Sequence, residues 1–189
     1  MYEIAVSVGA MVVAFIIRDF VLYQTFIPLH ILIILLGVGS GFILHELGHK
    51  YVAMHYGSYA AYRMWPTGLM FMLFSALLGF IFAAPGAVYI YAPYMGRKQY
   101  GLISIAGPMT NALLAFVFIL AFIATPITLL KFVFIQCAFI NVSLGLFNMI
   151  PIFPLDGSKV IAWSVGAWAG GIGILGILFM LTMGIMALA

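Results

Sequence analysis

The sequence predicts an all-α polytopic membrane protein of about six transmembrane helices, with a short interfacial strand or hairpin around residues 85–100. Three observations carry this reading. Of 189 residues, 67% are hydrophobic and only 6% charged, whereas a soluble domain carries about a quarter charged residues. So few charges cannot cover a core of this size with a polar skin, and the apolar surface must face lipid. The apolar residues are gathered into stretches long enough to cross a bilayer. The basic residues, Arg18, Lys50, Arg63, Arg97, Lys98, Lys131 and Lys159, fall singly or in one pair near the ends of those stretches, where they can snorkel to headgroups. A nucleic-acid surface would need them clustered on one face, so no nucleic-acid partner is expected.

The apolar stretches run approximately over residues 4–17, 27–54, 68–84, 102–124, 128–150 and 160–188. The first is short before Arg18, and with no basic leader or small-residue cleavage site it reads as a retained helix. The second is long enough to tilt or protrude. The third holds Gly68 and Gly79 and runs into Ala84-Pro85-Gly86, which weakens it as a span. Between Ala84 and Tyr100, Val88-Tyr89-Ile90-Tyr91 alternates like a strand, with breakers at Pro85, Gly86, Pro93 and Gly96. Such a segment must lie at the interface or under protein, and an edge strand there could pair with an extended peptide. Cys137 is alone, so no intrachain disulfide forms. No repeat or soluble linker divides residues 1–189, which read as one membrane-embedded domain.

Acidic groups are scarce: Glu3, Asp19, Glu46 and Asp156. An ionisable side chain in hydrocarbon costs roughly 3 kcal/mol or more, so one inside an apolar run is a candidate for a paired, metal-bound or cavity-lining role. His45-Glu46-Leu47-Gly48-His49 stands near the end of the second stretch. The four-residue step puts both imidazoles on one helix face, where they can bind one zinc ion. Glu46 is rotated by roughly 100° from His45, placed to serve as general base and then acid toward water without being a ligand. Two histidines bracketing a glutamate in an apolar helix would otherwise be three costly groups without a shared purpose.

A catalytic zinc wants a third protein ligand. His55 follows the pair, but the extended motif that uses a third histidine needs a glycine where this chain has Val52. On a continuing helix His55 lies about 9 Å beyond His49 along the axis, too far to share an ion, and it reads as interfacial. Asp156 follows Pro151 and Pro154, which break the fifth stretch, and precedes Gly157, which permits a tight turn. Two readings stand for it: a helix cap beside Lys159, or the carboxylate that completes a two-histidine, one-carboxylate set.

With these motifs the chain resembles the site-2 protease family of intramembrane zinc metallopeptidases, in the form of a minimal catalytic core. The resemblance rests on His45 to His49, on Asn148 to Gly157 and, more weakly, on Ala106-Gly107-Pro108 with Asn111. It implies one zinc ion held by His45, His49 and Asp156, water activation by Glu46, contact of Asn148 with substrate backbone or the developing oxyanion, and transmembrane protein substrates cut within or near the bilayer. It also implies a multi-pass protein of the cell membrane whose oligomeric state is left open. Asn111 is expected to be structural or substrate-contacting, with Pro108 in a first helical turn. Gly48, Gly68 and Gly79 are expected to allow close packing, with gating as the alternative. A water-filled polar cavity should reach the three ligands. The rivals are a membrane zinc-binding or transport protein without protease activity, which would need further intramembrane ligands, an inactive scaffold, and a prenyl-protein peptidase, which would share the five-residue motif but not the Asn148 to Gly157 segment.

Overall fold

A computed structural model describes residues 2–24, 28–81, 85–91 and 95–188. Five of the described helices are long and apolar enough to cross a membrane: α1 (Tyr2–Tyr23), the composite Pro28–His55, α5 (Arg97–Ala124), α6 (Thr128–Asn148) and α8 (Val165–Leu188). The composite joins α2 (Pro28–Ile33), a π-helical segment (Ile34–Gly39) and α3 (Ser40–His55). Their outer faces are apolar and uncovered; on α5, Leu113, Phe116, Val117 and Leu120 form one exposed stripe at helical spacing. The chain is a multi-pass integral membrane protein.

The third apolar stretch forms α4 (Pro66–Leu77), which has 12 residues. At about 18 Å it covers little more than half of the hydrocarbon core. Its limits are local: Pro66 sits at the first turn, and Gly79 leaves the helix at φ +85°, a left-handed exit that glycine allows. The first stretch, conversely, is longer than the apolar run suggests. Asp19 is buried inside α1, where Arg18 Nη2 pairs with it at 2.7 Å and His30 Nδ1 lies 2.6 Å away, and the helix continues to Tyr23.

The expected strand is β2 (Gly86–Tyr91), but its partner is remote: β1 (Tyr59–Met64) pairs antiparallel from Tyr59↔Tyr91 to Met64↔Gly86. Ala84 and Pro93 lie outside the described residues. The alternation in β2 does what the sequence suggested, turning Val88 and Ile90 onto Ala53, Ala60 and Ile103 while Tyr89 and Tyr91 face outward. The sheet is stapled to the start of α1. Glu3 Oε1 accepts from Arg63 Nη1 at 3.0 Å and Oε2 from the Met64 amide at 2.8 Å, while Ser7 Oγ and the Tyr62 hydroxyl lie 2.8 Å apart. Burial pushes the Tyr62 phenol up to about 12, so it stays a neutral hydrogen-bonding group.

Two apolar clusters flank the middle of the molecule. Met11, Ile34, Val38, Leu69 and Met72 join α1, the π segment and α4. Ala112, Val142, Met149, Val160 and Leu175 join α5 to α6, α8 and the short helix α7 (Asp156–Trp163). Between them α3 lies against α5, and there the buried polar side chains collect.

Candidate metal centre

The helix α3 presents His45 and His49 on one face, as their spacing predicts, and both are buried. Asp156 arrives from the far end of the chain. After α6 ends at Asn148 the backbone turns through Pro151 and Pro154 and starts α7 at Asp156 itself. Gly157 makes this possible by close approach rather than by an unusual turn. A Cβ there would fall on the Met149 carbonyl and lie 2.6 Å from the Ile150 oxygen, so only a glycine lets α7 begin against the end of α6.

Three side-chain atoms then meet. Asp156 Oδ2 lies 3.2 Å from His45 Nε2 and 3.0 Å from His49 Nε2, and the two nitrogens are 3.0 Å apart. Asp156 Oδ1 pairs with Lys159 Nζ at 3.4 Å, but the N-cap of α7 is Leu155 and no side chain caps it, so Asp156 is not a helix cap. His55 is exposed at the end of α3 against the Tyr56 ring, away from this group, as expected of an interfacial side chain.

The histidine hydrogens are fixed by their other partners. His45 Nδ1 lies 2.6 Å from Asn111 Oδ1, and His49 Nδ1 lies 2.7 Å from the Ile103 carbonyl oxygen. Both oxygens only accept, so each Nδ1 carries a hydrogen, and Nε2 is the ring atom left to face Asp156. Two imidazole nitrogens and a carboxylate oxygen about 3 Å apart form a donor set into which a cation fits, each offering it a lone pair. Ligands about 2.0–2.1 Å from a tetrahedral zinc stand about 3.3 Å from one another. The observed edges come within a few tenths of an ångström of that triangle, so the residues fit a zinc ion.

One stripe of α5 reads this face of α3. Ile103 meets His49 and Asn111 meets His45, while a Cβ at Gly107, midway between, would lie 2.5 Å from His45 Nε2 and run into His49 Nε2. Residues 103, 107 and 111 repeat at one helical turn, antiparallel to the pair on α3. Asn111 is thus a histidine partner. Pro108 departs from expectation: α5 starts at Arg97, where Gln99 Oε1 accepts the Gly96 amide at 2.8 Å, so the proline is interior rather than in a first turn. It withholds the amide hydrogen that the Ser104 carbonyl would take, while α5 continues through it to Ala124. Gly48 serves packing, since a Cβ there would lie 2.7 Å from Thr110 Oγ1.

Glu46 is buried beside the pair, and its Oε2 accepts the Val88 amide of β2 at 2.7 Å. A cavity of about 300 Å³, walled by Glu3, Glu46, Lys50, Tyr62 and Val88, opens onto it. The expected cavity therefore reaches Glu46, while the three candidate ligands are not in its wall. Asn148 Nδ2 donates to the Leu144 carbonyl of its own helix at 3.0 Å. Sequence reasoning missed Val88 as a Glu46 partner, and it missed Asn141, whose Oδ1 lies 3.2 Å from Asn111 Nδ2. An asparagine inside an apolar run was the available signal for the second.

The chain is 44% identical over 168 residues, 88% of its length and 86% of the relative's, to "Putative zinc metalloprotease MJ0611" of Methanocaldococcus jannaschii. It is 31% identical over 144 residues, 64% of its length and 63% of the relative's, to "Putative zinc metalloprotease YwhC" of Bacillus subtilis. No protein-family model and no solved structure matches it.

Proposed function

The chain belongs to the zinc metalloprotease family of these two relatives, site-2 protease-like in its motifs, and on that premise we propose that it is an intramembrane endopeptidase cutting transmembrane segments of other proteins. The observation that carries the reading is the convergence of three potential ligand atoms, from His45, His49 and Asp156, inside a membrane-spanning bundle. We assign these three as the zinc ligands and residues 1–189 as one catalytic domain. Bound zinc supplies a Lewis acid that makes water a better nucleophile near neutral pH and polarises the scissile carbonyl.

The chain's own residues supply the rest. Glu46 takes the proton from the attacking water and returns it to the leaving nitrogen, a role typically worth about 10²–10⁴-fold in rate. The cavity beside it brings water to the carboxylate from the sheet side. The Val88 amide points off the outer edge of β2 toward Glu46, because the paired hydrogen bonds to β1 fall on alternate residues. A substrate segment unwound from its helix can lie along that edge, exposing a carbonyl that helical hydrogen bonds would shield. Asn148 is assigned to the substrate backbone on the family resemblance; to act there its amide must exchange the Leu144 carbonyl for a substrate group.

The test is cleavage of a single-span membrane substrate in detergent by the wild type and Glu46→Gln, with bound zinc assayed in both. Zinc in both and cleavage in the wild type only supports the reading. Zinc in both and cleavage in neither, across a panel of helix-destabilised substrates, favours a metal-binding protein instead.

A further inference from the structure

We propose that Asn141 is a positioning residue for the metal centre: through Asn111 it fixes which nitrogen of His45 carries the hydrogen, and so keeps His45 Nε2 free for the metal. The inference rests on the metalloprotease reading and goes beyond it, since it concerns α6, which contributes no ligand.

The geometry is a one-way relay. Asn141 Nδ2 lies between two carbonyl oxygens, Gly37 at 3.2 Å and Cys137 at 2.9 Å. Only an amide nitrogen can satisfy both, so Asn141 Oδ1 must face the other way. There it accepts from Asn111 Nδ2 at 3.2 Å, which also donates to the Gly41 carbonyl at 3.2 Å. The Asn111 oxygen is thereby left for His45 Nδ1. Were Asn141 reversed, two amide nitrogens would face each other. Asn111 could relieve that clash only by turning over, losing its bond to the Gly41 carbonyl; its nitrogen would then point at His45 Nδ1 and move the imidazole hydrogen to Nε2, where a ligand needs a lone pair.

Both asparagines are fully buried, and a buried amide left without partners is costly, so each must be bonded as observed. The second span is cut to fit them. At Gly41 a Cβ would lie 2.7 Å from Asn141 Oδ1, and at Gly37 it would lie 2.9 Å from Ile140 Cδ1 and 3.4 Å from Cys137 Cα. Gly37 belongs to the π-helical segment, a departure from α geometry found disproportionately at functional sites. The glycines, the π turn and the two asparagines thus form one device ending on His45.

The experiment compares detergent-purified wild type, Asn141→Leu, Gly41→Ala and Thr182→Val. Zinc affinity is measured by chelator competition, and ligand geometry by the absorption spectrum of the cobalt-substituted protein. Gly41→Ala keeps both asparagines and favours the helix, yet its methyl displaces Asn141 Oδ1. Thr182→Val removes a buried hydroxyl bonded to Leu178 in α8, far from the relay in the chain. We expect zinc to bind at least about 10-fold more weakly in Asn141→Leu and Gly41→Ala, with an altered cobalt spectrum, and Thr182→Val to match the wild type. Wild-type affinity and spectrum in folded Asn141→Leu and Gly41→Ala overturn the proposal, as does an equal loss in Thr182→Val. Should Asn141→Leu not fold, Gly41→Ala decides. A wild type that binds no zinc overturns the metalloprotease reading itself, a result distinct from either.

Discussion

Gly107→Ala tests the centre without touching any proposed ligand. The added Cβ would stand 2.5 Å from His45 Nε2 and nearer still to His49 Nε2, about 1 Å short of the ~3.5 Å of ordinary carbon contact. Metal–ligand distances tolerate only about ±0.2 Å. The two nitrogens must therefore retreat several times further than a bound ion allows, or α5 must move off α3. The substitution should not unfold the chain, because alanine in a helix interior is favoured over glycine by about 1 kcal/mol, offsetting part of the crowding. We expect a folded helical protein with zinc affinity lowered at least about 100-fold, or roughly 2.7 kcal/mol, and no detectable cleavage. The assay is metal content after gel filtration, beside thermal unfolding in detergent. A variant that keeps one zinc per chain and cuts at the wild-type rate would refute the close apposition of Gly107 to the two imidazoles.

Val88→Pro removes the amide that holds Glu46 Oε2 while sparing the β1–β2 ladder, in which that amide takes no part; cleavage should fall about 10-fold, in line with a hydrogen bond to a charged group, with zinc content unchanged. Gly157→Ala drives a methyl into the Met149 carbonyl; α7 should shift, zinc should be lost and the melting temperature should drop, by an overpacking cost of about 1–3 kcal/mol, and a fully metallated, equally stable variant would contradict the close approach. Stripping the metal with a chelator should lower the melting temperature reversibly, since zinc at about 1,000 times its Kd stabilises the folded state by about 4 kcal/mol; a melt indifferent to zinc would argue against a site made only in the folded chain.

The parts of this arrangement that were legible in the sequence are those written in local periodicity. The i, i+4 step from His45 to His49 needs only a helix to become a shared face, and α3 supplies it. Asp156 was legible as a carboxylate beside a helix break, because two prolines announce the break. What remained hidden depends on contacts between remote segments. The Tyr-Ala-Ala-Tyr-Arg-Met run of β1 carries no alternation, and it becomes a strand only because β2 offers a partner across α4. Pro108 was placed in a first turn because hydrophobicity begins at residue 102, whereas the helix begins at Arg97 on a cap that hydrophobicity does not see.

The deeper reason concerns how a membrane protein holds histidines still. In lipid there is no water to satisfy a stray imidazole hydrogen, so each ring nitrogen not needed for metal must be given a protein acceptor. His49 receives a backbone carbonyl, which any residue at 103 can provide, and the sequence is silent about it. His45 receives a side chain, and a side-chain amide can point either way. That ambiguity is resolved by what the amide nitrogen meets: the Gly41 carbonyl and Asn141, itself oriented by the carbonyls of Gly37 and Cys137. Two buried asparagines on α5 and α6 thus serve one histidine, and the glycines facing them leave the space they occupy.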